Sequence, residues 1–297
     1  MPDVTRRRTG ELLRKLFEIL VSHPDGVQAR DALGLLATKI ELTEFEKGFY
    51  APGAQRFNKI VRFATIDCVK AGWLVKTKGR WSITEEGKAA YEKHRDPEVF
   101  YRAAIKLYNE WLAQRNTAQE VSQEDDGEKE PVKEVQITFD QAEEQAWSEI
   151  EQYLKTMPWA DFQDLVAALL RAVGYHVAWI APPGRDGGVD IIAWGDPLGT
   201  RPPRIKVQVK RRADSVSVEG LRAFMAILSD DDVGIFVSTG GFTKDAQELA
   251  RSQERRKITL IDLERFFDLW VEHYGKLEDA ARRKLPLQPI YFLAPQG

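Results

Sequence analysis

A glycine turn followed by two apolar segments carries the residues of this chain that are best suited to chemistry. The turn, 184–189, leads into Asp190, and the second segment, 205–210, contains Gln208 and Lys210. Because side chains alternate along a strand, Gln208 and Lys210 are expected on one face. A carboxylate and an amide oxygen suit a hard cation such as Mg²⁺, and an ammonium group can position a water or stabilise charge on a phosphoryl oxygen. The pattern predicts a site able to hydrolyse a phosphodiester.

A purely structural interpretation of the same residues is a tight turn followed by an ordinary strand. Glycines supply positive φ angles and an aspartate can brace such a turn, which suits Asp186. Gln208 and Lys210 are also typical of the polar side of an edge strand. Asp190 differs, because it borders the apolar run 191–194, where an unpaired carboxylate is costly. It requires a partner, and a metal ion or Lys210 supplies one.

The elements around these residues follow a regular order. From residue 158 onward, helical and strand patterns alternate as α, β, β, β, α, β, α, β and α. Such an alternation predicts a mixed sheet flanked by helices. The three consecutive aspartates at 230–232 are interpreted as a helix-to-strand turn and not as a metal cluster.

The N-terminal part shows helical apolar spacing three times, followed by two short strands around a basic turn. This order predicts a winged helix in residues 1–95. Its third helix, about 54–71, is the expected recognition helix in the major groove. The candidate DNA contacts of the helix and the turn are Arg56, Asn58, Lys59, Arg62, Lys76, Lys78 and Arg80. A solvated helix face, or a turn that contacts only protein, stays open as the alternative.

Charge is distributed unevenly along the chain. The net charge is −3 overall, but +6 over residues 1–95, −9 over 96–157 and 0 over 158–297. Residues 96–139 are expected to be a connecting helix and an acidic linker, and residues 140–297 the second domain. The acidic stretch within 116–134 is most simply a solvated linker; a mimic that occupies a DNA groove at rest is the more specific alternative.

The motifs taken together resemble a known family. The pattern G-x-D-G-G-x-D at 184–190, followed by a strand ending Q-V-K-R at 208–211, is similar to the Mrr-type branch of the PD-(D/E)xK nucleases, in which Gln replaces an acid. The helix that starts at Asp161, the segment 237–243 and the turn 78–87 resemble further segments of that family. The resemblance implies an α+β fold with an N-terminal winged helix and a C-terminal nuclease-like α/β domain around a central mixed sheet.

The resemblance also implies an activity, which is restriction-type cleavage of methylated double-stranded DNA. Mg²⁺, for which Mn²⁺ can substitute, would be held by Asp190, Gln208 and the carbonyl of Val209, with Lys210 orienting the attacking water. Arg211 and Arg212 extend the basic surface, and a double-strand break implies a homodimer or a higher homo-oligomer. A repair or structure-specific nuclease, or a non-cleaving DNA-binding regulator on a nuclease fold, remain alternatives.

One position departs from the family pattern. Gln163 stands where the family usually has a catalytic glutamate, and acids flank it at Asp161 and Asp164. Gln163 is therefore a candidate catalytic residue, and three alternatives stay open. Gln163 acts as a neutral ligand, a neighbouring aspartate takes the role of the glutamate, or the site binds metal more weakly.

Several classes of protein are excluded by pattern. No apolar run approaches the roughly 20 residues that span a bilayer, and no signal-peptide pattern follows the basic N-terminus. Cys68 stands alone in the sequence, so neither a disulfide nor a zinc site is expected, which fits a reducing cytoplasm. The chain lacks a phosphate-binding G-x-x-x-x-G-K-[ST] motif, so no nucleotide partner is expected.

Overall fold

The computed structural model describes residues 4–50, 55–116, 129–184, 187–253 and 256–290, with side chains for all of these except 112, 114–116 and 129–136. The chain folds into two compact units: the described residues up to Ser148, and Glu149–Ile290. The proposed turn residue Asp186 and most of the acidic stretch, 117–128, lie outside the described residues.

The first unit combines helices with a small antiparallel sheet. Its helices are α1 (Arg6–Val21), α2 (Ala29–Lys39), α3 (Glu44–Lys47), α4 (Arg56–Lys70), α5 (Glu85–Lys93) and α6 (Pro97–Asn116). Its strands are β1 (Val27–Gln28), β2 (Leu74–Thr77) and β3 (Arg80–Ile83). The sheet has the order β1-β3-β2, and both pairings are antiparallel.

Helical periodicity accounts for the core of this unit. In α4 the buried positions Phe57, Val61, Ala64 and Cys68 recur at the spacing of one helix face. They join the buried leucines of α1 in one apolar cluster, and the Cys68 side chain is fully enclosed. The helix that the sequence predicts at 54–71 is therefore present, with bounds that differ by a residue or two.

The turn between β2 and β3 is a two-residue hairpin connection. Thr77 pairs with Arg80, which leaves Lys78 and Gly79 as the central residues. Their φ angles are +49° and +74°, and two positive φ angles are the requirement of the turn type that matches strand twist. Gly79 meets that requirement without steric cost, whereas Lys78 adopts a conformation uncommon for a residue with a Cβ.

Helix α7 (Lys129–Thr156) is longer than expected. The sequence predicts a solvated linker up to residue 134 and a helical pattern from about residue 142. The helix instead begins at Lys129, because the segment is rich in Glu, Lys and Gln, which favour helix although they supply no apolar stripe. Pro131 lies in the first turn, where its missing N–H has no helical partner to lose.

The second unit is built on a five-stranded mixed sheet. Its elements are α8 (Trp159–Val173), β4 (His176–Ile180), β5 (Ile191–Trp194), β6 (Arg204–Lys210), α9 (Val218–Ala226), β7 (Asp232–Ser238), α10 (Lys244–Arg251), β8 (Lys257–Asp262), α11 (Leu263–Glu272), a 3-10 turn (Tyr274–Lys276) and α12 (Asp279–Lys284). The strand order is β4-β5-β6-β7-β8. The β4-β5 and β5-β6 pairs are antiparallel, and the β6-β7 and β7-β8 pairs are parallel. The predicted central mixed sheet is confirmed.

Strand β6 occupies the centre of the sheet and is flanked on both sides. Val207 pairs with Ile191 of β5 and with Ile235 of β7. Ile205, Val207 and Val209 are buried, as expected for the apolar side of a central strand. Within the residues that the structure describes, no helix is both long enough and apolar enough to cross a bilayer.

Candidate active site

Backbone pairing brings Asp190 beside β6. The β5-β6 register pairs Ile191 with Val207, and Asp190 directly precedes Ile191 at the end of this ladder. The Asp190 N–H donates to the Val207 carbonyl at 2.7 Å. The two strands therefore bring Asp190 beside the segment of β6 that carries Gln208 and Lys210.

The Asp190 carboxylate is buried and hydrogen-bonded. Its Oδ2 atom accepts from the backbone N–H of Val209 at 2.6 Å, and the residue is 9% exposed. This bond continues the pairing of β6 beyond the end of β5 through a side chain. Asp190 is thus fixed at the strand end by two bonds to β6, one from its backbone and one from its carboxylate.

Gln208 and Lys210 line one cleft of about 440 Å³. Gly187, Gly188 and Arg212 line it as well, and α9 closes it with apolar side chains. Gly188 has a φ of +73°, and a Cβ there would lie 3.1 Å from the Ile227 side chain. The glycine turn therefore supplies a wall that approaches closely without filling the cleft.

Gln163 on α8 faces backbone and not solvent. Its Nε2 group donates to the carbonyls of Ala181 at 3.2 Å and of Asp190 at 3.0 Å, and the residue is 2% exposed. Both amide hydrogens are used where β4 ends and β5 begins. Gln163 therefore holds the backbone of Asp190, and a carboxylate could not make these two donations.

The two acids beside Gln163 point elsewhere. Lys284 of α12 binds Asp161 at 2.7 Å and Asp164 at 2.6 Å, and the side chains of both acids are 40% exposed or more. Each helical residue turns the side chain by about 100°, so neither acid shares the buried face of Gln163. These contacts disfavour the interpretation in which Asp161 or Asp164 substitutes for the helix glutamate.

The cluster of basic residues along 201–212 is not one open surface. Arg204 and Lys206 bind the buried Asp232 at 2.7 and 2.8 Å. Burial opposes ionisation of this carboxyl group, but hydrogen bonds from these two cations hold the pKa of Asp232 far below its usual range. Asp232 begins β7 and serves as an internal ion-pair partner, so Arg204 and Lys206 are not available as one open basic surface.

Lys210, which ends β6, and the two arginines that follow it have different surroundings. Lys210 is half-buried in the cleft, and Arg211 donates to the Lys155 carbonyl at 2.9 Å. Arg212 is exposed and lines the cleft. Its guanidinium is therefore better placed than that of Arg211 to meet a phosphate.

Sequence reasoning assigned no role to Thr239, which fixes the loop after Lys210. Thr239 Oγ1 accepts from the Arg212 N–H and donates to the Arg212 carbonyl, at 3.0 and 2.9 Å. The Thr239 N–H donates to the Lys210 carbonyl at 3.0 Å. A Cβ at Gly240 would lie 2.3 Å from the Asp214 carbonyl oxygen, so only glycine fits there. The T-G-G order of this segment was the available signal.

The candidate DNA contacts of the first unit are mostly engaged within the unit. Arg56 lies over the Phe45 ring at 4.4 Å, and Lys59 lies over Tyr50 at 5.2 Å. Asn58 donates to the Gln55 side chain at 3.1 Å, and Arg80 to the Gly26 carbonyl at 3.1 Å. These residues are partly exposed.

Two of the candidate DNA contacts are enclosed within the first unit. Arg62 binds Glu144 at 2.7 Å and Lys76 binds Asp140 at 2.8 Å, and the side chains of both cations are 9% exposed. The acidic partners come from α7, more than sixty residues away in sequence, so local pattern does not predict this enclosure.

The donor set near Asp190 bears on whether a cation fits. Among the described residues, no group of three or more His, Cys, Asp and Glu side chains is placed to hold a metal. The oxygen donors near the strand ends are the Asp190 carboxylate, the Gln208 amide and the Val209 carbonyl, which accepts a long 3.4 Å bond from Trp159. Hard oxygen donors with one carboxylate fit a divalent cation that keeps several waters, as Mg²⁺ does.

Comparisons with known proteins assign the chain to a family. A restriction endonuclease catalytic-domain model, Mrr_cat, matches residues 154–270, and an Mrr N-terminal domain model matches residues 10–93. Together they cover more than half of the chain. The chain belongs to the Mrr-type restriction endonucleases. It is therefore a DNA endonuclease of the restriction type, as the motif order predicts.

Two known proteins show how far the similarity extends. The type IV methyl-directed restriction enzyme EcoKMrr of Escherichia coli (strain K12) is 23% identical over 282 residues, which cover 89% of this chain and 91% of that enzyme. The structure of the MspJI restriction endonuclease in complex with a 27-mer oligonucleotide matches with 22% identity and a TM-score of 0.32. That match covers 47% of this chain and 32% of the other.

Proposed function

We propose that this chain hydrolyses duplex DNA with the help of a divalent cation, Mg²⁺ or in its place Mn²⁺, held near Asp190, Gln208 and the Val209 carbonyl. The observation that carries this proposal is the bond from the Val209 N–H to the Asp190 carboxylate. Val209 lies between Gln208 and Lys210, which line one cleft. This arrangement supports a site in which one carboxylate, one amide and one ammonium group act together.

Each residue contributes through a specific group. The cation, when bound, supplies Lewis-acid stabilisation of a phosphoryl oxygen. The Lys210 ammonium orients the attacking water or stabilises charge on the phosphate. Gln163 keeps the backbone at Asp190 in place, and Thr239 does the same for the loop after Lys210. The exposed Arg212 attracts the DNA backbone to the cleft.

The first expected result is metal-dependent cleavage. Purified protein should leave plasmid DNA intact in EDTA and cut it after addition of Mg²⁺ or Mn²⁺, because the cation supplies positive charge at the scissile phosphate that the Asp190 carboxylate and the Gln208 amide cannot supply. Gel analysis of supercoiled, nicked and linear forms measures both single- and double-strand cuts. Cleavage that is indifferent to chelation would overturn the proposed chemistry.

For the first unit, we propose a winged helix that binds duplex DNA. The order of α1, β1, α2, α4, β2 and β3, with β1 paired to β3, supports this assignment. The partly exposed Arg56, Asn58 and Lys59 lie on the helix in the recognition position. We propose residues 1–95 as this domain, 96–139 as the connection and 140–297 as the catalytic domain.

The second expected result is preference for methylated DNA. EcoKMrr is described as a methyl-directed enzyme, and its similarity to this chain extends over both family domains. Plasmids that differ only in methylation should be cut at rates that differ at least about tenfold, comparable to the cost of one mismatched contact. Equal rates would favour a repair or structure-specific nuclease. Binding without cleavage of any substrate would favour a DNA-binding regulator.

A double-strand break requires two active sites, so we propose a homodimer or a larger homo-oligomer as the cutting form. We place the enzyme in the cytoplasm, where foreign DNA arrives. Light scattering during cleavage of duplex DNA measures the mass of the cutting form and so tests the proposed homo-oligomer.

A further inference from the structure

Helix α7 presents a row of acids to the basic side of the first unit. Asp140, Glu143 and Glu144, which we call the acidic face, follow the spacing of neighbours on one helix side. Opposite them lie Arg62 of α4, Lys76 of β2 and Lys78 of the hairpin turn, which we call the basic face.

The contacts between the two faces are close and enclosed. The Arg62–Glu144 and Lys76–Asp140 pairs are 2.7 and 2.8 Å long, and the four side chains are between 9% and 17% exposed. The Arg62 and Lys76 charges also lie over the Trp81 ring, at 5.6 and 5.1 Å. Both cations are therefore held between an aromatic surface and an acid of α7.

The hairpin turn is part of the same contact. The Lys78 ammonium lies 5.3 Å from the centre of the Trp147 ring, one helical turn beyond Glu144. A Cβ at Gly79 would lie 2.7 Å from the Glu144 side chain. Burial is the main reason why the pKa of Glu143 is raised, and the Lys78 backbone N–H opposes it. The tip of the hairpin is covered by α7.

The covered cations belong to the set that the proposed DNA-binding function needs. Carboxylates on a helix can stand where phosphate oxygens of a duplex would stand, since both are anions that accept from the same donors. Burying an ion pair costs desolvation energy that nearly offsets its attraction. Burial accordingly lowers the pKa of Lys76 despite its partner Asp140. Replacing the carboxylates of α7 by DNA phosphates therefore costs little free energy.

We infer that the acidic face of α7 occupies the DNA-binding surface of the first unit, and that duplex DNA must displace it to bind there. This inference rests on the proposed DNA-binding role of the first unit. The displaced partner is a segment of the chain itself, and the incoming one is a phosphate backbone. The resting enzyme is thereby kept from binding arbitrary DNA tightly.

The test is the affinity of the full-length protein for a short fluorescent duplex in EDTA, which prevents cleavage. Asp140→Asn combined with Glu144→Gln removes two charges from the acidic face and keeps the side-chain shapes. We expect this variant to bind about tenfold more tightly than wild type, within the usual range of coupling between two binding events. Its affinity should also fall more steeply with salt, by about two units of log–log slope, because two more cations meet phosphates.

The matched control removes two charges elsewhere in the same unit. Glu92 is exposed on α5 and Glu110 is exposed on α6. Glu92→Gln with Glu110→Gln changes the net charge equally, and it should alter the affinity less than about twofold, as exposed charges are screened. Adding Arg62→Gln and Lys76→Gln to the acid-depleted variant should abolish its gain.

Each outcome has a definite meaning. If wild type binds the duplex and the acid-depleted variant gains no more than the control, the inference is wrong. A gain that survives Arg62→Gln and Lys76→Gln is a general charge effect and overturns it as well. If neither the wild type nor any variant binds duplex DNA, the proposed function fails together with the inference. Circular dichroism melting checks folding, and the single Asp140→Asn variant should show an intermediate gain if the double variant melts early.

Discussion

Lys210→Ala is expected to slow DNA cleavage at least about a hundredfold, the range lost when a positioned proton-transfer or charge-stabilising group is removed. Affinity for duplex DNA should change by less than about tenfold, because affinity comes from many phosphate contacts. Single-turnover cleavage and binding in EDTA, measured on the same protein, separate the two quantities.

Lys257 offers a matched control for this substitution. It is exposed at the start of β8, and Lys257→Ala removes the same charge from the same unit. Its cleavage rate should remain within about twofold of wild type, as expected for an exposed charge. Normal cleavage by Lys210→Ala would show that the active site lies elsewhere.

Asp190 requires a more conservative change, because its carboxylate supports the fold. Asp190→Ala would leave the Val209 N–H without its acceptor. Asp190→Asn keeps an oxygen for that bond and removes only the charge. We expect Asp190→Asn to reduce cleavage as strongly as Lys210→Ala while its melting temperature stays close to that of wild type.

Gln163→Glu is expected to destabilise the second unit rather than to improve the site. The substitution removes the two donations to the Ala181 and Asp190 carbonyls and places a charge where the side chain is 2% exposed. The Asp190 carbonyl still accepts from the Ala181 N–H, but the Ala181 carbonyl loses the Gln163 donor, and an unsatisfied buried polar group costs about 1–3 kcal/mol. A fall in melting temperature of at least about 5 °C follows for a unit of this size. Cleavage should fall with it, because the backbone at Asp190 loses its support.

The pH dependence of the melting temperature provides a second test of the Gln163→Glu prediction. A protonated glutamic acid donates one hydrogen bond, so the deficit in melting temperature relative to wild type should narrow as the pH falls. Gln152→Glu, at an exposed position of α7, is the control and should melt as wild type does at neutral pH. An unchanged melting temperature together with tighter Mg²⁺ dependence of Gln163→Glu would identify residue 163 as a metal ligand.

Local patterns were sufficient to predict much of the catalytic unit. The alternation in β6 predicted that Gln208 and Lys210 share a side, and both line the same cleft. Asp190 lies beside them because a short antiparallel connection brings consecutive strands together. These inferences depend on the alternation of side chains and on segments that are neighbours along the chain, and both can be recognised in a single sequence.

What could not be predicted depends on contacts between distant segments. Nothing in α4 indicates that Arg62 meets Glu144, which is 82 residues further along the chain. The direction of the Gln163 amide depends on two carbonyls whose positions follow from the folded sheet. The linker boundary failed for a different reason, since the pattern of apolar residues cannot detect a helix that is polar on most sides.

The enclosed thiol of Cys68 allows the rate of local opening of the first unit to be measured. The sequence contains one cysteine, and its side chain lies in the cluster formed by α1 and α4. A reagent reaches such a sulfur only during transient openings, so its rate of modification equals the intrinsic thiol rate multiplied by the fraction of time spent open. No engineered label is needed. The rate of Cys68 modification therefore reports how often the packed helices open locally, and it can be measured with or without DNA.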